Sequence, residues 1–208
     1  TSDRGRALAK AAIAIDFTLP EATADNLAAV IARHMPIVIG TTGLDAERHA
    51  LIRRASEKLP VLVAPNMSLA VNLFFSLVGS AAAALPPDYD IEIVEAHHRH
   101  KADSPSGTAL RLGEIAAGAR NTTLGNVGIY GRAGSATTRS PGAIGFSSIR
   151  AGDIVGEHHV LFAGTGETLE LVHRATDRMT FAYGALAAAR WLAGRQPGLY
   201  GMADVLGL

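Results

Sequence analysis

The sequence predicts an α/β protein in two parts: a helix-covered parallel sheet, then a mixed sheet of α+β character. Three observations predict it. Up to residue 64, short apolar runs alternate with helical patterns, the rhythm of strand–helix–strand units. From residue 90 on, strand-like two-residue alternation dominates with few helices between, which argues for antiparallel or mixed pairing. Finally, 208 residues with 48% hydrophobic but only 5% aromatic content suit close helix-on-sheet packing and leave room for one domain or two.

Taken in order, Ile13 to Thr18 is an apolar run ended by polar residues, as in a buried parallel strand. Pro20 and Glu21 open a helical pattern that carries Leu27, Val30 and Ile31 on one face and closes near His34. Pro36 to Gly40 is a second strand, running into the turn Thr41-Thr42-Gly43. A helix from Asp45 to about Lys58 and a strand Val61 to Ala64 follow. Ligands bind such sheets at the carboxyl ends of the strands. Those ends are Asp16-Phe17-Thr18, Gly40-Thr41-Thr42-Gly43 and Pro65-Asn66-Met67.

After residue 67 the pattern changes. A long helix, about Ser68 to Leu85, leads past Pro86-Pro87 into a strand from Asp90 to Glu95. A histidine-rich turn and a helix from about Pro105 to Ala119 come next. Strand-like runs then occupy Val127 to Tyr130, Ala143 to Ile149, Glu157 to Phe162 and Thr168 to His173. The Gly/Ser/Thr/Arg-rich segment from Gly131 to Gly142 predicts a mobile loop, and Phe181 to Ala193 a last helix. The expected division is 1–67, 68–178 and a returning segment 179–208.

Nineteen basic and nineteen acidic residues cancel, so nothing global points to nucleic acid. With no cysteine, disulfides and thiolate metal sites are excluded, and a reducing compartment is compatible. The apolar stretch Leu69 to Leu85 is interrupted by Asn72, Ser76, Gly79 and Ser80 and reads as a buried helix rather than a membrane span. No signal peptide is visible, and the chain opens on Thr1 rather than Met.

The densest chemistry lies in Glu95-Ala96-His97-His98-Arg99-His100-Lys101-Ala102-Asp103-Ser104-Pro105-Ser106-Gly107-Thr108-Ala109, with three of the eight histidines inside four positions. Imidazoles supply protons near neutral pH, while cations and the free amides of a helix start attract anions. Asp103 or Ser104 can cap the helix, Pro105 suits its first position and Gly107 leaves first-turn amides uncovered. A well-capped helix behind a solvated basic turn would use the same residues. Zinc is a second functional reading of the histidines, but alternation would point His97 and His98 to opposite faces; His158, His159 and His173 are further candidates. His34 and His49 read as helix-surface residues. Gly40 to Gly43 is a plausible close-approach turn, yet no Gly-x-Gly-x-x-Gly occurs anywhere.

The segment from Glu95 to Ala109 resembles the signature of the dihydrodipicolinate reductase family. The similarity extends through Ile15 to Thr18, Val38 to Gly43, Ala64 to Asn66, Pro141 to Phe146, Arg150 to His158 and Arg178 to Ala182. It implies a cytoplasmic homotetramer with a Rossmann-like dinucleotide-binding domain and a mixed-sheet domain for substrate and assembly. It also implies NADH or NADPH as cofactor, no metal, and a small cyclic dicarboxylate substrate reduced in lysine and diaminopimelate synthesis. By the same resemblance His97 is the main proton donor and Lys101 a second acid that also holds substrate. His98, Ser106, Gly107 and Thr108 would bind substrate. Phe17, Gly40, Thr41, Thr42, Ala64, Pro65, Asn66, Met67 and Arg178 would line the cofactor, with Arg178 near a hinge.

Two departures qualify the resemblance. The family begins with a strand, a glycine-rich loop and a residue choosing between NADH and NADPH, all expected to precede Thr1. Leu19 stands where some relatives carry a basic residue. Two rival readings remain at this stage: an impaired dicarboxylate-binding oligomer, and a metal-dependent hydrolase or lyase.

Overall fold

The computed structural model describes residues 3–134 and 138–208. Its contacts divide the chain into two compact units, residues 1–72 with 179–208, and residues 73–178. The first unit opens with a short helix, α1 (Arg4–Leu8), capped by Asp3. Strand β1 (Ala14–Asp16), a 3₁₀ turn at Pro20–Ala22, α2 (Thr23–Ile31), β2 (Ile37–Ile39), α3 (Ala46–Ser56) and β3 (Pro60–Val63) follow.

Helix α4 (Leu69–Ala84) passes from the first unit into the second. The second unit continues with β4 (Asp90–His97), α5 (Gly107–Ala119), α6 (Leu124–Val127), β5 (Gly128–Ile129), β6 (Ile144–Arg150), β7 (Gly156–Gly164) and β8 (Glu167–Ala175). The chain then rejoins the first unit with α7 (Met179–Leu192), β9 (Gly198–Tyr200) and α8 (Met202–Leu206).

In the first unit all four strands run parallel in the order β1-β2-β3-β9. Alternation sends Ile37, Ile39 and Val61 to one face, against Leu27 and Val30 of α2 and Ile52 and Ala55 of α3. Val38 and Leu62 face the other way, against Ala185, Ala188, Ala189 and Leu192 of α7. Alanines on α7 let its axis approach the sheet closely, which explains why few aromatics are needed. Because the strands are parallel, Phe17, Gly40 and Ala64 all leave the sheet at one edge.

The second unit holds a five-stranded mixed sheet, β5-β6-β4-β7-β8. Central β4 pairs parallel with β6 and antiparallel with β7. Phe74, Val78 and Ala82 of α4 and Leu112 and Ala116 of α5 cover Ile91, Ile93, Ile144 and Phe162. Among the described residues no helix is long and apolar enough to cross a membrane.

Several expected boundaries move. Helix α5 starts at Gly107, not Pro105, because Ser106 is extended and its hydroxyl accepts from the Ala109 amide. Ser106 is therefore the cap, not Asp103 or Ser104, and Pro105 lies outside the helix. Strand β4 runs two residues further than expected, to His97. The expected strand Val127 to Tyr130 shrinks to two residues behind a helical turn. Of the expected loop from Gly131 to Gly142, residues 135–137 lie outside the described residues; Arg139 is bonded to the carbonyls of Ile91 and Ala143. Four elements among the described residues were not anticipated: α1, α6, β9 and α8.

Candidate active site

Strand β4 ends in a buried polar cluster. Alternation that buries Ile91 and Ile93 continues to Glu95 and His97, so a carboxylate and an imidazole stand on the apolar face. Glu95 is 1% exposed. An unpaired carboxylate there would be very costly, and the neighbouring strands supply its partners. Arg150, beside His97 in the β4–β6 register, donates to both Glu95 oxygens at 2.7 and 2.8 Å. The Ser106 amide donates to Oε1 at 3.3 Å, and His97 Nδ1 lies 2.6 Å from Oε2. Burial alone would raise the Glu95 pKa; hydrogen bonds from Arg150, Ser148 and His97 outweigh it and bring it down to about 2. Glu95 is thus ionised at neutral pH.

His158 packs edge-on against His97, ring centroids 5.2 Å apart, with its Nε2 2.9 Å from the Ser106 hydroxyl. Burial first, and the neighbouring His97 second, push its pKa down to about 3, so it stays neutral. Two adjacent imidazoles therefore differ in kind: His97 is bonded to a carboxylate, whereas His158 is bonded to a hydroxyl.

Beyond the strand end, His98, Arg99 and His100 line a surface cavity of about 720 Å³ with Gly152, Asp153 and Arg178. The turn is tied to the β6–β7 connection by hydrogen bonds from the Arg99 amide to Gly152 and from the Ala151 amide to His97. The pKa of His98 lies below the ordinary imidazole value, first through partial burial and then through the Arg178 charge. Lys101 pairs with Asp103 at 2.7 Å. A Cβ on Gly107 would meet nothing within 4 Å, so open space lies beside the start of α5.

The structure thus groups His97 with Ser106, and Arg178 with His98. Ser106 is 2% exposed and its hydroxyl serves as helix cap and partner of His158. Any grip on an anion there falls to backbone amides and to Thr108 rather than to the Ser106 side chain. Among the described residues no group of three or more His, Asp or Glu converges on a metal-sized site.

The residues expected to line a cofactor occupy the carboxyl edge of the parallel sheet in the first unit. Phe17 is 55% exposed, and Pro65 and Thr42 are exposed, whereas the Met67 side chain belongs to the core. A Cβ on Gly40 would fall 2.2 Å from the Phe17 ring, so glycine is what lets that ring lie across the turn. The buried Thr41 hydroxyl has no hydrogen-bond partner among the described residues, an orphan that a bound ligand can satisfy. A flat exposed ring, small turns and an unpaired hydroxyl fit the nicotinamide end of a dinucleotide.

Family profiles described as dihydrodipicolinate reductase, N-terminus and C-terminus, match residues 1–67 and 70–206. The chain belongs to the dihydrodipicolinate reductase family. It is 53% identical over all 208 residues to proteins named 4-hydroxy-tetrahydrodipicolinate reductase from Thiobacillus denitrificans and Nitrosomonas europaea, and spans 78% of each. A solved dipicolinate-bound dihydrodipicolinate reductase from a Paenisporosarcina species superposes with a TM-score of 0.77 at 25% identity. That match covers 98% of this chain and 77% of the other.

Membership in this reductase family brings NADH or NADPH as cofactor and the α/β plus mixed-sheet fold described above. Reading the sequence assigned no role to Glu95 or Arg150, and placed His158 only among candidates for a zinc reading. For Glu95 the signal was present: it lies two residues before His97, in phase with Ile91 and Ile93. Arg150 and His158 depend on strand register, which no local pattern carries.

Proposed function

We propose that this chain catalyses the NAD(P)H-dependent reduction of 4-hydroxy-2,3,4,5-tetrahydrodipicolinate to tetrahydrodipicolinate, with loss of water, in lysine and diaminopimelate synthesis. The observation that carries this reading is the corner of the second unit. There a carboxylate-bonded imidazole, a turn of cations and the open start of a helix all issue from the end of one strand.

The substrate is a dianion, and the groups at this corner suit its two carboxylates. The amides around Gly107 and the Thr108 side chain receive one, aided by the helix dipole. His98 and Lys101 hold the ring from the turn, Lys101 exchanging its Asp103 partner for substrate. Phe17, Gly40, Thr41, Thr42, Ala64, Pro65 and Asn66 hold the nicotinamide, Met67 through its backbone, and Arg178 adds positive charge. The reduced nicotinamide supplies a hydride when bound. His97 delivers the proton to the ring carbon adjacent to the one that accepts that hydride, and Lys101 assists as a second acid. Holding these groups in place removes the entropy cost of their encounter.

The residues 1–72 with 179–208 act as the dinucleotide-binding domain and residues 73–178 as the substrate and assembly domain. The enzyme works in the cytoplasm, where reduced nicotinamide dinucleotides are made, as a homotetramer. Leu169 and Val172, each 41% exposed on edge strand β8, support assembly through this sheet, and sedimentation velocity checks it.

The test is the loss of nicotinamide absorbance when the chain meets substrate and either dinucleotide. Substrate-dependent oxidation, competitively inhibited by pyridine-2,6-dicarboxylate, is expected. Thermal stabilisation by that dicarboxylate without oxidation of either dinucleotide would instead favour a binding protein.

A further inference from the structure

We infer that Glu95, locked by Arg150, is the positioning residue that fixes the ring orientation and tautomer of His97, so that Nε2 is the nitrogen that delivers the proton. The inference rests on the reductase reading for the role of His97, but its geometry stands independently.

Glu95 Oε2 faces His97 Nδ1 at 2.6 Å. An ionised carboxylate only accepts hydrogen bonds, so Nδ1 carries the hydrogen and donates. Protonated His97 then holds Nδ1–H against Glu95 and keeps Nε2–H as the proton it can give up. After transfer the ring returns to the neutral Nδ1–H tautomer, ready to take up the next proton at Nε2. The carboxylate is itself held. Arg150 grips both oxygens and also donates to the carbonyls of Asp103 and Ile149. One guanidinium thereby ties the orienting carboxylate to the loop that precedes α5.

Glu95 reaches the anion cradle as well, accepting from the Ser106 amide one residue before α5. A single buried carboxylate therefore sets the proton donor and the helix start relative to each other. Gly156 completes the arrangement: a Cβ there would lie 3.1 Å from His97 Nε2, so glycine leaves that ring edge uncrowded.

Glu95→Gln makes the inference testable at one atom. Oε1 receives Arg150 Nη2 and the Ser106 amide, Oε2 receives Arg150 Nη1 and His97, and the Ser148 hydroxyl also bonds the carboxylate. The amide nitrogen of glutamine takes the Oε2 position, where His97 Nδ1 can turn from donor to acceptor; at Oε1 it would meet Arg150 Nη2 and the Ser106 amide, which cannot. It then donates to His97 Nδ1 and moves the ring hydrogen to Nε2.

The experiment is ¹⁵N NMR of the imidazoles in the wild-type chain and in E95Q at alkaline pH, with steady-state kinetics on both. We expect the Nδ1–H tautomer at His97 in the wild type and the Nε2–H tautomer in E95Q. In E95Q, kcat should fall roughly 10²- to 10⁴-fold, the range a general acid contributes, with the substrate KM changed less than about 3-fold; a KM-only effect would overturn the inference. So would Nε2–H at His97 in the wild type, a reading that needs no variant to fold. If His97→Gln is impaired while E95Q turns over normally, the inference fails and the reductase reading stands. If His97→Gln keeps full turnover, the fault lies in the reading of His97 itself.

Discussion

The carboxyl edge of the parallel sheet and the end of β4, the two places proposed to meet ligands, are built from opposite materials. The first offers shape: Gly40 under the Phe17 ring, the Thr41 hydroxyl, and the compact turn at Ala64 to Asn66. The second offers charge and protons: Glu95, Arg150, His97, Lys101 and Arg178. A group that brings its own redox chemistry needs little from the protein beyond placement. A proton donor has to be placed and electrostatically supported by the chain itself. Substitutions at the two places should therefore fail in different ways.

The largest expected effect is at the strand end. His97→Gln should lower kcat by roughly 10²- to 10⁴-fold, with pyridine-2,6-dicarboxylate affinity by calorimetry changed only slightly. Unchanged turnover would erase the contrast. Next, Lys101→Met removes a charge-assisted contact of about 1.5–3 kcal/mol, so kcat/KM for substrate should drop about 10- to 100-fold while the dinucleotide KM holds. Equal losses for both ligands would show that Lys101 supports structure rather than substrate.

At the other edge, Gly40→Ala drives a methyl into the Phe17 ring. Overpacking of this kind costs about 1–3 kcal/mol, and it should raise the dinucleotide KM more than the substrate KM. Adding Phe17→Ala to Gly40→Ala should restore the melting temperature, which a double-mutant cycle measures.

The smallest effect concerns pH. His158 is held neutral in the fold down to about pH 3, whereas in the unfolded chain it takes up a proton near the ordinary value of 6.5. Its contribution is fully present above about pH 6.5 and is lost progressively as pH falls toward 3. Glu95, with its pKa brought down to about 2 from 4.5, adds a loss that begins only below about pH 4.5. His158→Asn should flatten the decline between about pH 6.5 and 3 in thermal melts, leaving below about pH 4.5 only the part of the fall that Glu95 adds. An unchanged slope in that window would mean His158 is not buried neutral.

The sequence made the alternating α/β half and the strands of the mixed sheet legible because each carries its own periodicity. Three-residue β9 could not be read this way. Gly198 to Tyr200 is too short for a pattern, and it exists through pairing with β3, more than a hundred residues earlier. The start of α5 was ambiguous because Asp103, Ser104 and Ser106 are all capping residues, and only the backbone decides among them.

At the site, His97 and Lys101 stood out by type and spacing. The groups that tune them did not, for Arg150 and His158 reach the end of β4 through β6 and β7. Glu95 was recoverable from the same two-residue rule that separated His97 from His98.

The account is tested most directly by titrating pyridine-2,6-dicarboxylate into the isotope-labelled chain while following every imidazole by NMR. The rings of His97, His98 and His100 should shift together along one saturable curve, with those of His34 and His49 unmoved. Saturable binding that leaves the three strand-end histidines untouched would contradict it.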